Sequence, residues 1–150
     1  MLRKQTHIAA VAALCAAPLA AQAQDASGDA AAGEEAFSQC VSCHVVEDES
    51  GEVLAGRGAQ TGPNLYGVAM RQAGVVEGFR YSDSMVEAGE AGMVWDEANF
   101  APYLQDPTGH LREVLDDRRA RGKMTYRLRG GDEEALNIYA YLAQFGSEGS

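Results

Sequence analysis

Apolar residues recur every three or four positions in several stretches of the chain, and this spacing predicts amphipathic α-helices. The first predicted helix covers residues 27–39, with Ser27 or Asp29 as its N-cap. A second covers residues 96–105 and should end at the Asp106–Pro107 step, because the residue before a proline disfavours helical backbone. Each helix carries its apolar side chains on one face, so each should pack against a core.

Two further helices are predicted nearer the C-terminus. Residues 111–119 form a short helix that ends before Gly122, and Asp132 caps the last helix, whose apolar side chains form a buried stripe. Strand signals are weak throughout, and residues 47–67, rich in glycine and acidic side chains, predict a long irregular loop. The chain is therefore predicted to be all-α, with four or five short helices. Its core is thin, which suggests that something bulky and apolar fills the middle.

The N-terminus has the pattern of a secretory signal peptide. Two basic residues precede an apolar run over residues 8–19, and small residues at 21–23 form a cleavage site. A retained membrane anchor is the alternative, although the run is shorter than the ~20 residues that span a bilayer. We therefore expect residues 1–23 to be removed, and residues 24–150 to form one domain in the periplasm.

The mature chain keeps two cysteines, and a histidine follows the second directly. Cys40, Cys43 and His44 fit the Cys-x-x-Cys-His pattern, in which two thiols add to the vinyl groups of a haem and the imidazole binds its iron. A disulfide is one alternative in an oxidising compartment. A thioredoxin-like dithiol is another, but it requires a βαβ pattern that the sequence lacks. The motif predicts one haem c, bound through two thioethers.

The second axial ligand of such an iron is sought among the methionines. A methionine is more often a core residue than a ligand, so each candidate needs supporting context. Met124 has the best surroundings, because it lies in an irregular segment, residues 122–126, between two predicted helices. It is also far enough downstream of His44 to cover the opposite face of the haem. The candidates outside the signal peptide are Met70, Met85, Met93 and Met124.

Charge is unevenly distributed along a chain whose formal net charge is −10. Residues 24–106 carry fifteen acidic and three basic side chains, whereas residues 107–130 carry seven basic and three acidic ones. Ordinary scatter on a solvated surface is one interpretation, and a basic docking patch on an acidic body is the other. The basic stretch surrounds Met124, which favours docking. We expect a monomer with no nucleic-acid partner.

These motifs together resemble the class I c-type cytochromes, and most of all the bacterial cytochromes c2, over nearly all of residues 24–146. The resemblance implies a class I cytochrome c fold wrapped around one covalent haem. It also implies a soluble periplasmic one-electron carrier rather than an enzyme. Such a carrier takes electrons from a cytochrome bc1 complex and delivers them to a photosynthetic reaction centre or a terminal oxidase. Besides the Cys-x-x-Cys-His motif, the resembling segments are residues 61–67, 78–83, 95, 103–107 and 123–126.

The resemblance also implies roles for residues on the two sides of the iron. Met124 would supply the axial sulfur opposite His44, and the carbonyl of Pro63 would accept a hydrogen bond from the His44 ring. His110 matches no ligand and is expected to be an exposed helix residue. The chain departs from the family in two ways: Met70 stands where a glycine is frequent, and arginines replace most of the lysines near the haem edge.

Four further residues match positions that surround the haem in this family. Arg71, Tyr81 and Trp95 resemble the residues that hold a buried haem propionate, a role that requires charged or strong hydrogen-bond donors. Tyr103 would lie against the Met124 sulfur. Considered without the family, Trp95 and Tyr103 are interpreted as core aromatics, and Arg71 as a surface charge.

Two competing functions remain at this point. A haem domain of an enzyme, such as a peroxidase or part of a sulfur-oxidising or denitrifying complex, would have an open or replaceable sixth iron position, or additional domains. A membrane-tethered cytochrome would retain residues 1–23. The single haem motif and the methionine-bearing segment favour the electron carrier over both.

Overall fold

Five short helices and one small hairpin surround a central cavity in the computed structural model, which describes residues 26–146. The predicted signal peptide and its cleavage site lie outside the described residues. Within the described part, no helix is both long and apolar enough to cross a bilayer. The all-α prediction is confirmed except for the hairpin. The elements are α1 (Ala30–Phe37), β1 (Val45–Glu47), β2 (Val53–Gly56), α2 (Asp83–Glu90), α3 (Glu97–Gln105), α4 (Pro107–Val114) and α5 (Gly131–Leu142).

Carboxylate caps begin three of the helices. The Asp29 carboxylate accepts hydrogen bonds from the backbone N–H groups of Ala31 and Ala32, so Asp29 rather than Ser27 caps α1. Asp96 caps α3 in the same way, as the sequence predicts for a helix that ends before Asp106. The first and third helices are therefore confirmed close to their predicted bounds.

The two C-terminal helices begin earlier than predicted. Helix α4 starts at Pro107 rather than residue 111, because the Asp106 carboxylate caps it and a proline suits the first helical position. Asp132 was predicted to cap the last helix, but it lies inside α5, where its carboxylate accepts a hydrogen bond from Gln105 of α3. The N-cap position of α5 is Gly130, which makes no side-chain cap bond.

The prediction of an irregular loop over residues 47–67 is wrong for its first half. Strands β1 and β2 pair antiparallel, with Val45 opposite Gly56. The Asp48 carboxylate accepts hydrogen bonds from the backbone N–H groups of Ser50 and Glu52, and these bonds close the turn between the strands. The rest of the segment is irregular. Helix α2, in contrast, lies in a stretch for which no helix was predicted.

The first and last helices cross at close range. A Cβ on Gly33 would lie 1.9 Å from the carbonyl oxygen of Asn137, so only glycine allows the two backbones to approach this far. The Asn137 side chain accepts a hydrogen bond from the backbone N–H of Asp29 at 2.7 Å. One turn further on, the rings of Phe37 and Tyr141 pack with centroids 5.5 Å apart. This crossing closes one end of the core.

His110 is buried, with 8% of its surface exposed, so the prediction of an exposed helix residue is wrong. The earlier start of α4 turns this side chain towards α3, where Nε2 lies 3.2 Å from Oδ1 of Asn99. Its ring meets that of Tyr103 edge-on at a centroid distance of 6.4 Å. Burial lowers the pKa of His110, while Glu113 and Asp96 raise it. His110 is therefore part of the packing between α3 and α4.

Candidate cofactor site

A cavity of about 230 Å³ lies at the centre of the fold and is lined mainly by apolar side chains. Residues from four of the helices and from the irregular segments between them form its walls. All nine residues that the sequence analysis assigned to cofactor binding line this one cavity, although they span 85 positions of the chain. They are Cys40, Cys43, His44, Pro63, Arg71, Tyr81, Trp95, Tyr103 and Met124.

The turn that follows α1 presents three of these residues. The backbone N–H groups of Cys43 and His44 both donate to the carbonyl of Cys40, at 3.1 and 2.9 Å. This tight turn brings the two sulfurs and the imidazole to one wall of the cavity. No disulfide joins the two cysteines, and burial, followed by Glu134 and Cys43, raises the pKa of the Cys40 thiol to about 11.

His44 is fixed by the irregular segment that faces it. Its Nδ1 lies 2.9 Å from the carbonyl oxygen of Pro63. A carbonyl can only accept, so this contact keeps a proton on Nδ1 and leaves the lone pair on Nε2 free. Burial lowers the pKa of His44, although the Pro63 carbonyl raises it. The ring is packed so closely that a Cβ on Gly62 would lie 2.3 Å from its Cε1 atom.

Arg71 forms a polar corner in this mostly apolar cavity. Its guanidinium donates to the carbonyls of Tyr66 at 2.6 Å and Asn64 at 3.1 Å. Burial lowers the pKa of Arg71. Burial raises the pKa of Tyr81, whereas Arg71 and a backbone hydrogen bond with Val76 lower it. The corner thus combines a half-buried cation with a phenol, and Arg71 is more than a surface charge.

A wall of packed aromatic rings adjoins this corner. Trp95 and Tyr103 meet at a centroid distance of 4.8 Å, and Trp95 also contacts Phe100 edge-on at 6.4 Å. Trp95 and Tyr103 are both buried and both line the cavity, so each is a core aromatic as well as a site residue. Burial strongly raises the pKa of Tyr103, and Tyr81 raises it further.

Residues 120–128, which we call the methionine loop, cover another side of the cavity. Upstream of Met124, the Lys123 ammonium donates to the carbonyl of Arg80. Downstream, Arg127 forms an ion pair with Asp106 at 2.9 Å. The backbone N–H of Leu128 also donates to the carbonyl of Leu104 at 2.8 Å. Both ends of the loop are therefore attached to the body of the protein.

The four candidate methionines occupy different environments. Met70 is 52% exposed and Met93 is buried, and neither lines the cavity. Met85 and Met124 both line it, Met85 from helix α2 and Met124 from the irregular methionine loop. The structure thus reduces four candidates to two.

Several cavity residues were missed from the sequence. Phe79 and Phe100 are apolar wall residues that no motif distinguishes from other core aromatics. Gly62 belongs to a recognised segment, but its contact with His44 becomes visible only in three dimensions. The rim consists of exposed, mostly uncharged polar side chains, which resemble any other surface in sequence. They are Gln39, Ser42, Thr61, Lys123, Thr125 and Tyr126.

The seven basic residues of the stretch 107–130 are not equally available. Arg119 pairs with Asp117 at 3.4 Å, and Arg127 is paired with Asp106. Within residues 26–146, no carboxylate lies at ion-pair distance from the other five, although Arg112, Arg121 and Lys123 donate to backbone carbonyls. Lys123 is on the cavity rim, and Arg129 lies close enough to the rim to lower the pKa of the Tyr126 hydroxyl, which burial raises. The five are Arg112, Arg118, Arg121, Lys123 and Arg129.

Comparison with known proteins gives close relatives over most of the chain. A cytochrome c2 from Rhodovulum adriaticum is 64% identical over 122 residues, which cover 81% of this chain and 96% of the relative. A cytochrome c2 from Cereibacter sphaeroides is 50% identical over 138 residues, covering 91% and 92% of the two chains. The crystal structure of cytochrome c2 from Rhodobacter sphaeroides matches with a TM-score of 0.77 at 51% identity, over 79% of this chain and 97% of the other. No family model matches the chain.

Proposed function

Because the chain belongs to the cytochrome c2 family of class I c-type cytochromes, we propose that it is a soluble periplasmic one-electron carrier. It takes electrons from a cytochrome bc1 complex and delivers them to a photosynthetic reaction centre or a terminal oxidase. The observation that carries the proposal is the single cavity. It is lined by the Cys-x-x-Cys-His motif, by Met124 and by the three residues expected to hold a haem propionate, Arg71, Tyr81 and Trp95. Residues 1–23 would be removed as a signal peptide, leaving one domain.

The residues at the cavity fit a covalently bound haem. Cys40 and Cys43 lie on one turn and are not joined in a disulfide, as thioether bonds to a single porphyrin edge require. His44 has Nδ1 occupied by the Pro63 carbonyl, so its free Nε2 is suited to an iron. The walls are apolar, as the faces of a porphyrin require. The haem supplies the redox-active iron when bound.

The other site residues would set the environment of that iron. Arg71, Tyr81 and Trp95 would stabilise a propionate, because a buried carboxylate needs charged or strong donors. Met124 would supply the second axial ligand, and His/Met ligation raises a haem potential. Tyr103, which is buried with its pKa raised, stays protonated and can donate a hydrogen bond towards the sulfur. These residues break no bond, and their work is to hold two redox states in nearly the same geometry.

Retention of the pigment tests the cofactor assignment. We expect the exported protein to be coloured and to keep its colour with the polypeptide in acidified organic solvent, because thioether bonds are covalent. A Cys40→Ala/Cys43→Ala double variant should release the pigment into the solvent. Ser42→Ala, which changes the exposed residue between the two cysteines, should retain it. A colourless mature protein, or parental pigment found in the solvent, would contradict the proposal.

Salt dependence tests docking through the basic residues near the cavity rim. Arg129→Glu should slow association with the bc1 complex about tenfold at low ionic strength, because steering depends on charge near the docking edge. Arg57→Glu makes the same charge change on an exposed residue outside the basic stretch 107–130, and it should have a smaller effect. The difference should vanish at about 1 M salt, where the Debye length is about 3 Å. Rates that are independent of salt would rule out steering.

A further inference from the structure

One hydrogen bond crosses the exposed rim of the cavity. The hydroxyl of Tyr126, two residues after Met124, donates to Oε1 of Gln39 at 2.6 Å, although the two residues are 87 positions apart. Nε2 of Gln39 in turn donates to Oε1 of Glu134 at 2.9 Å. Both Tyr126 and Gln39 line the cavity, and Tyr126 is 38% exposed. The contact joins the methionine loop to the turn that follows α1 and to the first turn of α5.

This contact differs from the other attachments of the methionine loop. Lys123 and Arg127 tie the loop to residues that lie beside it, Arg80 and Asp106. Gln39, in contrast, directly precedes Cys40 and therefore belongs to the segment that carries the thiols. The Tyr126 hydroxyl thus links the two walls of the cavity opening to each other.

We propose that Tyr126 and Gln39 form a latch that holds the methionine loop closed, which makes Tyr126 a positioning residue for the Met124 sulfur. The inference rests on the proposed His44/Met124 ligation. A latch of this kind acts on the equilibrium between the closed loop and an open loop in which the sulfur has moved away. The phenol ring would pack at the rim whether or not Tyr126 acts as a latch. The hydroxyl is therefore the group that distinguishes a latch from simple packing.

Imidazole binding to the ferric holoprotein measures the open fraction directly. An external ligand reaches the sixth iron position only in the open state. Its apparent dissociation constant is therefore inversely proportional to the fraction of protein in that state. Tyr126→Phe keeps the ring and removes the hydroxyl. From the net contribution of one hydrogen bond, we expect the dissociation constant for imidazole to fall about two- to tenfold. The unfolding midpoint in guanidinium should change little.

A double-mutant cycle makes the test specific. Gln39→Ala should tighten imidazole binding to a similar extent, and the double variant Tyr126→Phe/Gln39→Ala should bind no tighter than the stronger single variant. Gln105→Ala is the matched control, since it removes another surface glutamine that is bonded to a carboxylate, Asp132, at 2.6 Å. Its imidazole affinity should equal that of the parent.

The latch and the His44/Met124 ligation would be contradicted by different results. If Tyr126→Phe binds imidazole with the parental dissociation constant, or if the effects of the two single variants simply add, the latch is refuted and the ligation is unaffected. If the parent ferric protein lacks the sulfur-to-iron charge-transfer band, the proposed ligation itself is wrong. Recording the spectrum before the titration therefore separates the two proposals.

Discussion

The ferric Met124→Ala variant is expected to lose its sulfur-to-iron charge-transfer band while the haem remains covalently attached. Cys40, Cys43 and His44 lie on a separate turn, so removal of the Met124 side chain should not detach the cofactor. The midpoint potential should fall by on the order of 100 mV or more, because the identity of the axial ligands sets haem potentials over about 0.8 V. An absorption spectrum and a redox titration measure both effects.

Met85 provides the control for this variant. It lines the same cavity and is buried, but it belongs to helix α2 rather than to the methionine loop. Met85→Leu preserves volume, so we expect a loss of less than about 1.5 kcal/mol in the free energy of unfolding and an unchanged band. A band that survives Met124→Ala and disappears in Met85→Leu would move the axial sulfur to α2.

Gly62→Ala is expected to lower the free energy of unfolding of the holoprotein by about 2–4 kcal/mol. The added Cβ would lie 2.3 Å from Cε1 of His44, so either the ring or the backbone has to move. Pro63, the next residue, holds the same ring through its carbonyl at 2.9 Å. Any displacement that relieves the clash therefore strains this hydrogen bond. Unfolding of the ferric protein in guanidinium measures the loss.

Thr61→Ala is the matched control for the glycine variant, because it changes an exposed residue in the same segment. Its effect on the free energy of unfolding should stay within about 0.5 kcal/mol, as for most surface substitutions. If Gly62→Ala were as stable as Thr61→Ala, the close packing of His44 against this segment would not restrict the ring.

Sequence spacing predicts the cavity wall formed by Cys40, Cys43 and His44 far better than it predicts the opposite wall. Cys40 and His44 are neighbours in sequence, so local geometry alone brings them to the same wall. Met124 lies 80 positions beyond His44, and no periodicity states which irregular segment covers the cavity. The irregular context of residues 122–126 favoured Met124 among the four methionines, whereas only the resemblance to a family pointed to Arg71. Which distant segment covers the cavity is decided by tertiary packing, and local sequence patterns do not encode that packing.

The errors in secondary structure have local causes. Helix α2 was missed because its main signal is the Ser82 cap, and Gly89 near its end weakens the helical pattern. His110 was assigned to the surface because it matches no ligand, whereas α4 begins at Pro107 rather than at residue 111 and packs this ring against α3. In a short helix, an error of one turn changes which side chains face the core.

The crossing of α1 and α5 has a consequence for the stability of the first helix. Asp29 of the first helix and Asn137 of the last are 108 positions apart. Helix α1 has 8 residues, too few to be stable alone, since isolated helices shorter than about 12 residues are marginal in water. Helix α1 therefore depends on its contacts with α5 for stability. The turn that carries Cys40 and Cys43 directly follows α1, so its position in the folded chain depends on the last helix as well as on the first.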